Sequence, residues 1–456
     1  MKRFLIILSF LLITFIQIHA QGYSPTYFSK TDFEGDLRYL SQKVMRIHPK
    51  LLLPGESDRW NAVVDSININ LPDSITYNDA YLKVSYLLAT LHDSHSDFSF
   101  SYNERTKYMQ NGGVTMPFTV RCVKDKLYID QYFGDDRSDY FSGAEILSIN
   151  SISSGEILKK MQSLSGSVST YGIARYFGPY FWMYWGPQPE YRISVARTDS
   201  IFSITTKGVS TSDYFALKNK YYPEKTSKNC ELMFYPHNTT AFMKIKRFSD
   251  DLNPFFQNAF DTIKYQNCKN LVIDVRNNPG GMGRFVDSLM NYLTKKSYTQ
   301  YSYIALRVSN EVKKYYQKNK PDDYKLIAQL PTDALYKYDN DQLTRTPVAK
   351  RVFFEGNIFV LINHNTFSAA ATLAGIIKKY KLGKVIGQPT GETIRYYANY
   401  LNFKLPQLSE EFSVSPEEFI QHGGDLLDQG VVPDILLKNE DLTNEEIVLK
   451  YCNAHY

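Results

Sequence analysis

What the chain lacks narrows its function before any motif is read. Its 456 residues include four cysteines, Cys122, Cys230, Cys268 and Cys452. They stand far apart without the CxxC spacing of a structural zinc site, so a zinc-held fold is set aside; up to two disulfides are open to them outside the cytosol, in three possible pairings. Neither GxGxxG nor the GxxxxGK[ST] phosphate loop is present, which removes those routes to nucleotide binding. Basic residues outnumber acidic ones by only 52 to 47, too small an excess to argue for nucleic acid or an anionic membrane surface as partner. No stretch is low in complexity, and the only long apolar run lies at the N-terminus. There Lys2 and Arg3 precede Phe4 to Ile13, the run continues to Ile18, and Ala20 offers a cleavage position. This reads as a secretory signal with the mature chain starting near Gln21. Its removal takes the formal charge from +5 to +3. The run is short for a bilayer span, so a retained anchor, and membrane association with it, is the rival reading. No cysteine follows Ala20 to accept a lipid.

What is present is a long globular chain rich in aromatics, with 36 Tyr and 28 Phe, whose length predicts two or three domains. Apolar residues at helical spacing from Thr31 to Leu53, and a second helical run from Asp79 to Thr90, predict a small helical N-terminal unit. It ends in Leu91-His-Asp-Ser-His-Ser-Asp97, where helical spacing gives way to strand alternation and His95 projects from a loop. Short strands follow: Pro117–Val123, Lys126–Tyr132 and Ala144–Ile149, then a helix over Gly155–Leu164, then strands near Tyr191–Ala196 and Ile201–Thr206. The run Gly143–Asn150 with its following helix resembles the core of PDZ-like domains, which bind an extended peptide at a sheet edge.

Farther on, Asn270-Leu-Val-Ile-Asp-Val-Arg-Asn-Asn-Pro-Gly-Gly-Met-Gly283 is a buried strand, a sharp turn and a helix. Its paired glycines can present bare N–H groups to a ligand. The stretch between Lys295 and Arg351, with one helical pattern near Val312–Gln317, reads either as a lid or as a peripheral decoration. Ile358–Ile362 is a continuous apolar run of the kind buried on both faces of a sheet, and Ala369–Lys379 is rich in helix formers. Ser368 therefore sits where a buried strand becomes a helix, a place that suits a helix cap and equally a nucleophile beside free N–H groups able to hold an oxyanion. Lys384–Gly387 adds a strand, and Asp425–Asp434 brings carboxylates into a turn before a last one.

Four motifs in order, Asp-x-Arg-x-Asn-Pro-Gly-Gly at 274–281, Ser-Ala-Ala at 368–370, Val-Ile-Gly-x-Pro-Thr-Gly at 385–391 and Gly-Val-x-Pro-Asp-Ile at 430–435, resemble the tail-specific and tricorn-type serine peptidases. The resemblance implies an α/β catalytic core, a ClpP/crotonase-like mixed sheet with helices, joined to a PDZ-like β-rich domain and the helical unit. The domains expected are 1–20 as signal, 21–105 as helical unit, 106–210 as PDZ-like domain and 211–456 as core. It makes Ser368 the nucleophile, with the amides of Ala369 and of the Gly280-Gly281 turn as oxyanion hole. The tail-specific branch uses a lysine after the Gly-x-x-Thr segment, and Pro389–Tyr397 holds none. The tricorn-like branch draws a Ser-His pair from an N-terminal segment and a carboxylate from just before the Gly-Val-x-Pro-Asp turn, which here are Ser94, His95 and Asp428. Asp428 replaces the glutamate of the related pattern. The expected partner is a peptide or protein substrate, with no cofactor and no metal. A binding protein that keeps the fold without the chemistry, and a scaffold holding peptide tails, are the other function classes.

Overall fold

In the computed structural model, which describes residues 23–98, 101–123, 125–166, 171–197, 200–223, 228–235, 239–438 and 450–451, the organising element is a six-stranded sheet. Its order is Ile435–Leu436, Lys384–Gly387, Asn357–Ile362, Asn270–Asp274, Thr240–Ile245, Cys230–Tyr235. The first five run parallel and the last pairs antiparallel at the edge. Continuous apolar sequence is required because helices and loops cover both faces. Ile358, Val360 and Ile362 join one core with Leu271, Ile273 and Val385, while Phe359 and Leu361 join a smaller core on the opposite face with Phe242 and Val272. Helices Asn253–Tyr265, Gly283–Met290 and Ala369–Lys379 bury apolar side chains in the larger core. Asp274 lies opposite Leu361 in the register. The loops that leave the carboxyl ends of these two neighbouring strands therefore start side by side, where parallel sheets characteristically bind ligands.

Residues 118–207 build an antiparallel sheet in the order Phe118–Val123, Lys126–Tyr132, Glu145–Ile149, Glu190–Arg197, Ser200–Lys207, with helix Ser154–Gln162 packed on it. The strands anticipated here agree to within a residue or two. Helix Tyr171–Trp185, absent from the sequence reading, also packs against this sheet; it is aromatic on several sides, carries Pro179 inside and is interrupted at Tyr176. The N-terminal unit consists of helices Lys30–Ile47, Glu56–Ile69 and Tyr77–Ala89, of which the middle one was not anticipated. The stretch after Lys295 is neither lid nor decoration. Its strand Tyr301–Arg307 sits in a second sheet beside Glu417–Gln421, and Leu306, Val312, Tyr316 and Ile327 complete the core of the helical unit together with Leu401, Phe412 and Val414. The N-terminal helices are thereby fastened to the C-terminal half. No disulfide joins Cys122, Cys230 and Cys268. The predicted signal and Cys452 lie outside the described residues.

Candidate active site

Strand Asn357–Ile362 ends in a loop that delivers Ser368 to the start of helix Ala369–Lys379. Ser368 adopts φ 46° and ψ −126°, a left-handed conformation costly for a residue with a Cβ, and its hydroxyl makes no capping bond. Helix capping thus does not account for this serine. The loop is held against the glycine turn from several directions. Thr366 Oγ1 donates to Val275 O at 2.9 Å, Phe367 N–H donates to Asn278 O at 2.9 Å, and Asn277 N–H donates to Asn363 Oδ1 at 2.9 Å.

Asn278, fully buried, anchors the other wall. Its Nδ2 donates to Ile245 O at 2.9 Å and its Oδ1 accepts the Gly280 N–H at 2.8 Å. Gly280 must lack a side chain, since a Cβ there would lie 2.5 Å from Ser368 Cβ and 3.0 Å from Ala369 N. At Gly281, with φ +133°, a Cβ would meet Phe248 O at 2.2 Å. The expectation of an amide from the Gly280-Gly281 turn is thereby narrowed. Gly280 N–H is already engaged by Asn278, whereas the amides of Gly281 and Ala369 have no hydrogen-bond partner among the described residues.

His95 arrives from the other end of the chain. After helix Tyr77–Ala89 the backbone bends through Ser94–Ser96 and docks on the hairpin strand Glu411–Val414: Ser413 Oγ donates to His95 O at 2.7 Å, Ser413 N–H to Asp97 O at 2.8 Å, and Ser415 N–H to Ser96 Oγ at 2.8 Å. Ser94 Oγ lies 3.0 Å from His95 Nδ1 and donates to Glu392 Oε1 at 3.2 Å. With its only proton given to the carboxylate, Ser94 Oγ accepts from His95 Nδ1–H, which leaves Nε2 with a free lone pair. The ring also faces Tyr396, at 5.8 Å between centroids.

Glu392 is the residue the sequence reading passed over. It is 3% exposed and accepts from the Ser94 hydroxyl. Its loop is tied to the nucleophile loop, since Gly391 N–H donates to Thr366 O at 3.2 Å. Burial pushes its carboxyl above the usual range, opposed by the neighbouring His95 and the Ser94 hydrogen bond. The Pro-Thr-Gly-Glu segment carried the available signal: an acid where the tail-specific pattern places its base. Asp428, the carboxylate expected in this role, is exposed in the turn Leu426–Gln429. It lines the cleft that also holds Ser94, Glu392, Tyr396 and Lys50, but the carboxylate bonded to Ser94 is Glu392. A turn following a strand end leaves an aspartate side chain pointing to solvent, while Glu392 is enclosed by the two loops it joins. Among the described residues no group of three or more His, Cys, Asp or Glu side chains is arranged to hold a metal ion.

Comparisons with known proteins agree with this architecture. Residues 239–437 match Peptidase family S41, the span that carries the glycine turn, Ser368 and Glu392. No curated protein matches the chain. Among solved structures, mature CPAF is similar over 93% of this chain and 98% of its own, with TM-score 0.61 and 14% identity. CPAF complexed with lactacystin gives TM-score 0.63 at 13% identity over 93% and 97% of the two chains. The photosystem II D1 C-terminal processing protease covers 92% and 96% at 15% identity, with TM-score 0.47. At such identities the likeness to CPAF is one of fold, which fixes no chemistry by itself. The matched span, somewhat under half of the chain, makes residues 239–437 similar to the serine-type peptidases of family S41.

Proposed function

We propose that the protein is an exported serine endopeptidase acting through an acyl-enzyme, with Ser368 as nucleophile and His95 as general base. His95 Nε2 takes the hydroxyl proton as Ser368 attacks the scissile carbonyl, and later returns it to the leaving amine. Ser94 and Glu392 form the relay behind it: the hydroxyl holds the tautomer, and the carboxylate stabilises the imidazolium through it. The developing oxyanion is received by the Ala369 and Gly281 amides, which are fixed in place before substrate arrives. The 118–207 sheet acts as a PDZ-like unit that takes an extended segment of the substrate at its edge. The N-terminal segment Met1–Ala20 directs the protein to the periplasm or the extracellular space.

The observation that carries this reading is the run of hydrogen bonds from His95 Nδ1 through Ser94 to Glu392, whose loop is tied to the Ser368 loop by Gly391 N–H to Thr366 O at 3.2 Å. It supports reading residues near positions 94 and 392 as a relay that serves the strained, non-capping serine on the adjoining loop. The test is labelling of the purified protein with a fluorophosphonate serine probe, followed by peptide mapping. Modification at Ser368, lost in Ser368→Ala and in His95→Ala, is the expected result. A probe that maps elsewhere, or a His95→Ala protein that labels at the normal rate, sinks the assignment.

A further inference from the structure

Behind His95 lies a second buried carboxylate that the relay does not use. Asp93 is 2% exposed and His48 is fully buried. Asp93 Oδ1 accepts the His95 backbone N–H at 2.9 Å and lies 3.9 Å from His95 Nδ1, while Oδ2 faces His48 Nε2 at 3.2 Å. The His48 tautomer is set by its surroundings: Nδ1 accepts the Lys50 N–H at 3.2 Å, so the proton sits on Nε2 and points at Asp93. The histidine is itself held. Its ring packs on Tyr397 at 4.5 Å between centroids, and its carbonyl accepts from Arg307 Nη1 at 2.8 Å.

We propose that Asp93 and His48 form a second positioning arm for His95, in which Asp93 fixes the backbone and ring of the base and places a negative charge beside the imidazolium, and His48 orients Asp93. The proposal rests on the assignment of His95 as base. A buried carboxylate without a partner is costly and tends to be protonated. Here burial does push Asp93 up, but the hydrogen bond and field of His48, aided by His95 and Ser96, more than offset it and hold the carboxyl below its usual range. The other ionisable groups that feel this charge are Lys50, Asp97, Glu392 and Tyr397. The imidazolium therefore forms between two carboxylates, Glu392 reached through Ser94 and Asp93 at the ring edge. A charge placed there stabilises the transition state more than the ground state, because the ring is neutral until the serine proton arrives.

The measurement is steady-state peptidase kinetics and fluorophosphonate labelling rate, with thermal melts, on Asp93→Asn, His48→Gln, His48→Leu, His95→Ala and the double variant Asp93→Asn/His95→Ala. Asp93→Asn is expected to lower kcat by about 10- to 100-fold with KM within about twofold, the pattern of an interaction made in the transition state. His48→Gln, which can still donate to Asp93, should retain most of kcat, and His48→Leu should lose about tenfold. In the double variant Asp93→Asn should cost nothing beyond His95→Ala, since it acts through the ring. A purely structural pair would lower the melting temperature and leave kcat and the coupling untouched. Asp93→Asn or His48→Leu with normal kcat, or full additivity in the double variant, overturns the proposal while leaving His95 as base. Near-normal turnover in His95→Ala overturns the base itself. Should Asp93→Asn fail to fold, the His48 pair decides the matter.

Discussion

The two halves of the active site are built in different ways. Ser368 is carried by regular elements: a central parallel strand, a short loop pinned by Thr366 and Asn363, and a helix, with the glycine turn delivered by the strand beside it. His95 is held largely by side chains that reach across more than 290 positions of sequence, Ser94 to Glu392 and Ser413 to the His95 carbonyl. A sheet tolerates little displacement, because each strand is fixed by its whole ladder. A docked loop depends on a few hydrogen bonds, each worth only about 0.5–1.5 kcal/mol net. The nucleophile half is therefore expected to be rigid and the base half to be the part that perturbation displaces first.

The largest effects test the chemistry common to both halves. Ser368→Ala and His95→Ala should each lower kcat by several powers of ten without loss of fold, and removing both should cost little more than removing one, as for groups that act as a unit. Next comes the rigid half. Gly280→Ala sets a methyl group against Ser368 Cβ and Ala369 N in a backbone conformation that disfavours any side chain, and should reduce fluorophosphonate labelling on the order of 10²-fold or more, the scale of a lost oxyanion donor. Normal labelling there would show that the Ser368 loop yields more easily than a sheet-borne site should.

The same contrast explains what could be read in the sequence. The apolar runs at 270–274, 357–362 and 384–387 are dictated by burial on both faces, so strand, turn and Ser368 junction were all legible. Helix Glu56–Ile69 was not, since it buries only Trp60 and Ile67 and so has little apolar stripe. Helix Tyr171–Trp185 hid its period behind aromatics on several sides and an internal proline. In the base half the Ser94-His95 pair stood out, but its carboxylate did not. Nothing local distinguishes Glu392 from Asp428; only the fold buries the first against Ser94 and leaves the second in solvent. Asp93 and His48 meet through tertiary contact alone.

Glu392→Gln should lower kcat on the order of 10²-fold, less than loss of a directly bonded triad carboxylate because Ser94 stands between. Its effect on stability has the opposite sign. Burial raises the folded-state carboxyl above its unfolded value, so ionisation works against the fold, and wild-type stability falls as pH rises from the unfolded value through the folded one. Glutamine never ionises. The variant should match wild type at acid pH and melt higher than wild type above that window, which thermal scans from pH 4 to 9 would reveal. A variant that melts lower throughout would mean that the carboxylate bonds outweigh the cost of burial.

Ser413→Ala removes the bond to the His95 carbonyl and the acceptor for the Asp97 N–H. A loss of about 1 kcal/mol of stability is expected, with kcat down about tenfold through misplacement of the base. Because Ser368 is anchored elsewhere, direct acylation by a highly reactive ester should suffer less than peptide hydrolysis. Equal losses on both substrates would argue that the loop is as firmly held as the sheet.

The smallest effect is expected at Asp428. Its side chain is exposed, in a turn closed by Gln429 N–H to Leu426 O at 3.2 Å, and the carbonyls of Leu427 and Gln429 accept from the backbone N–H groups of Arg395 and Ile394. Substitution of an exposed turn residue ordinarily shifts stability by no more than about 0.5 kcal/mol, so Asp428→Asn should keep kcat within about twofold. Asp428 nevertheless lines the cleft that holds Ser94 and Glu392, and the Asp425–Gln429 segment is a loop rather than a strand. If substrate binding carried that loop inward, Asp428 would join or displace Glu392 at Ser94, and Asp428→Asn would lower kcat tenfold or more with KM unchanged. Asp428→Glu then decides the cause: a longer arm that restores or improves turnover marks a mobile carboxylate in the relay, whereas indifference to all three side chains leaves Glu392 as the one acid behind the base.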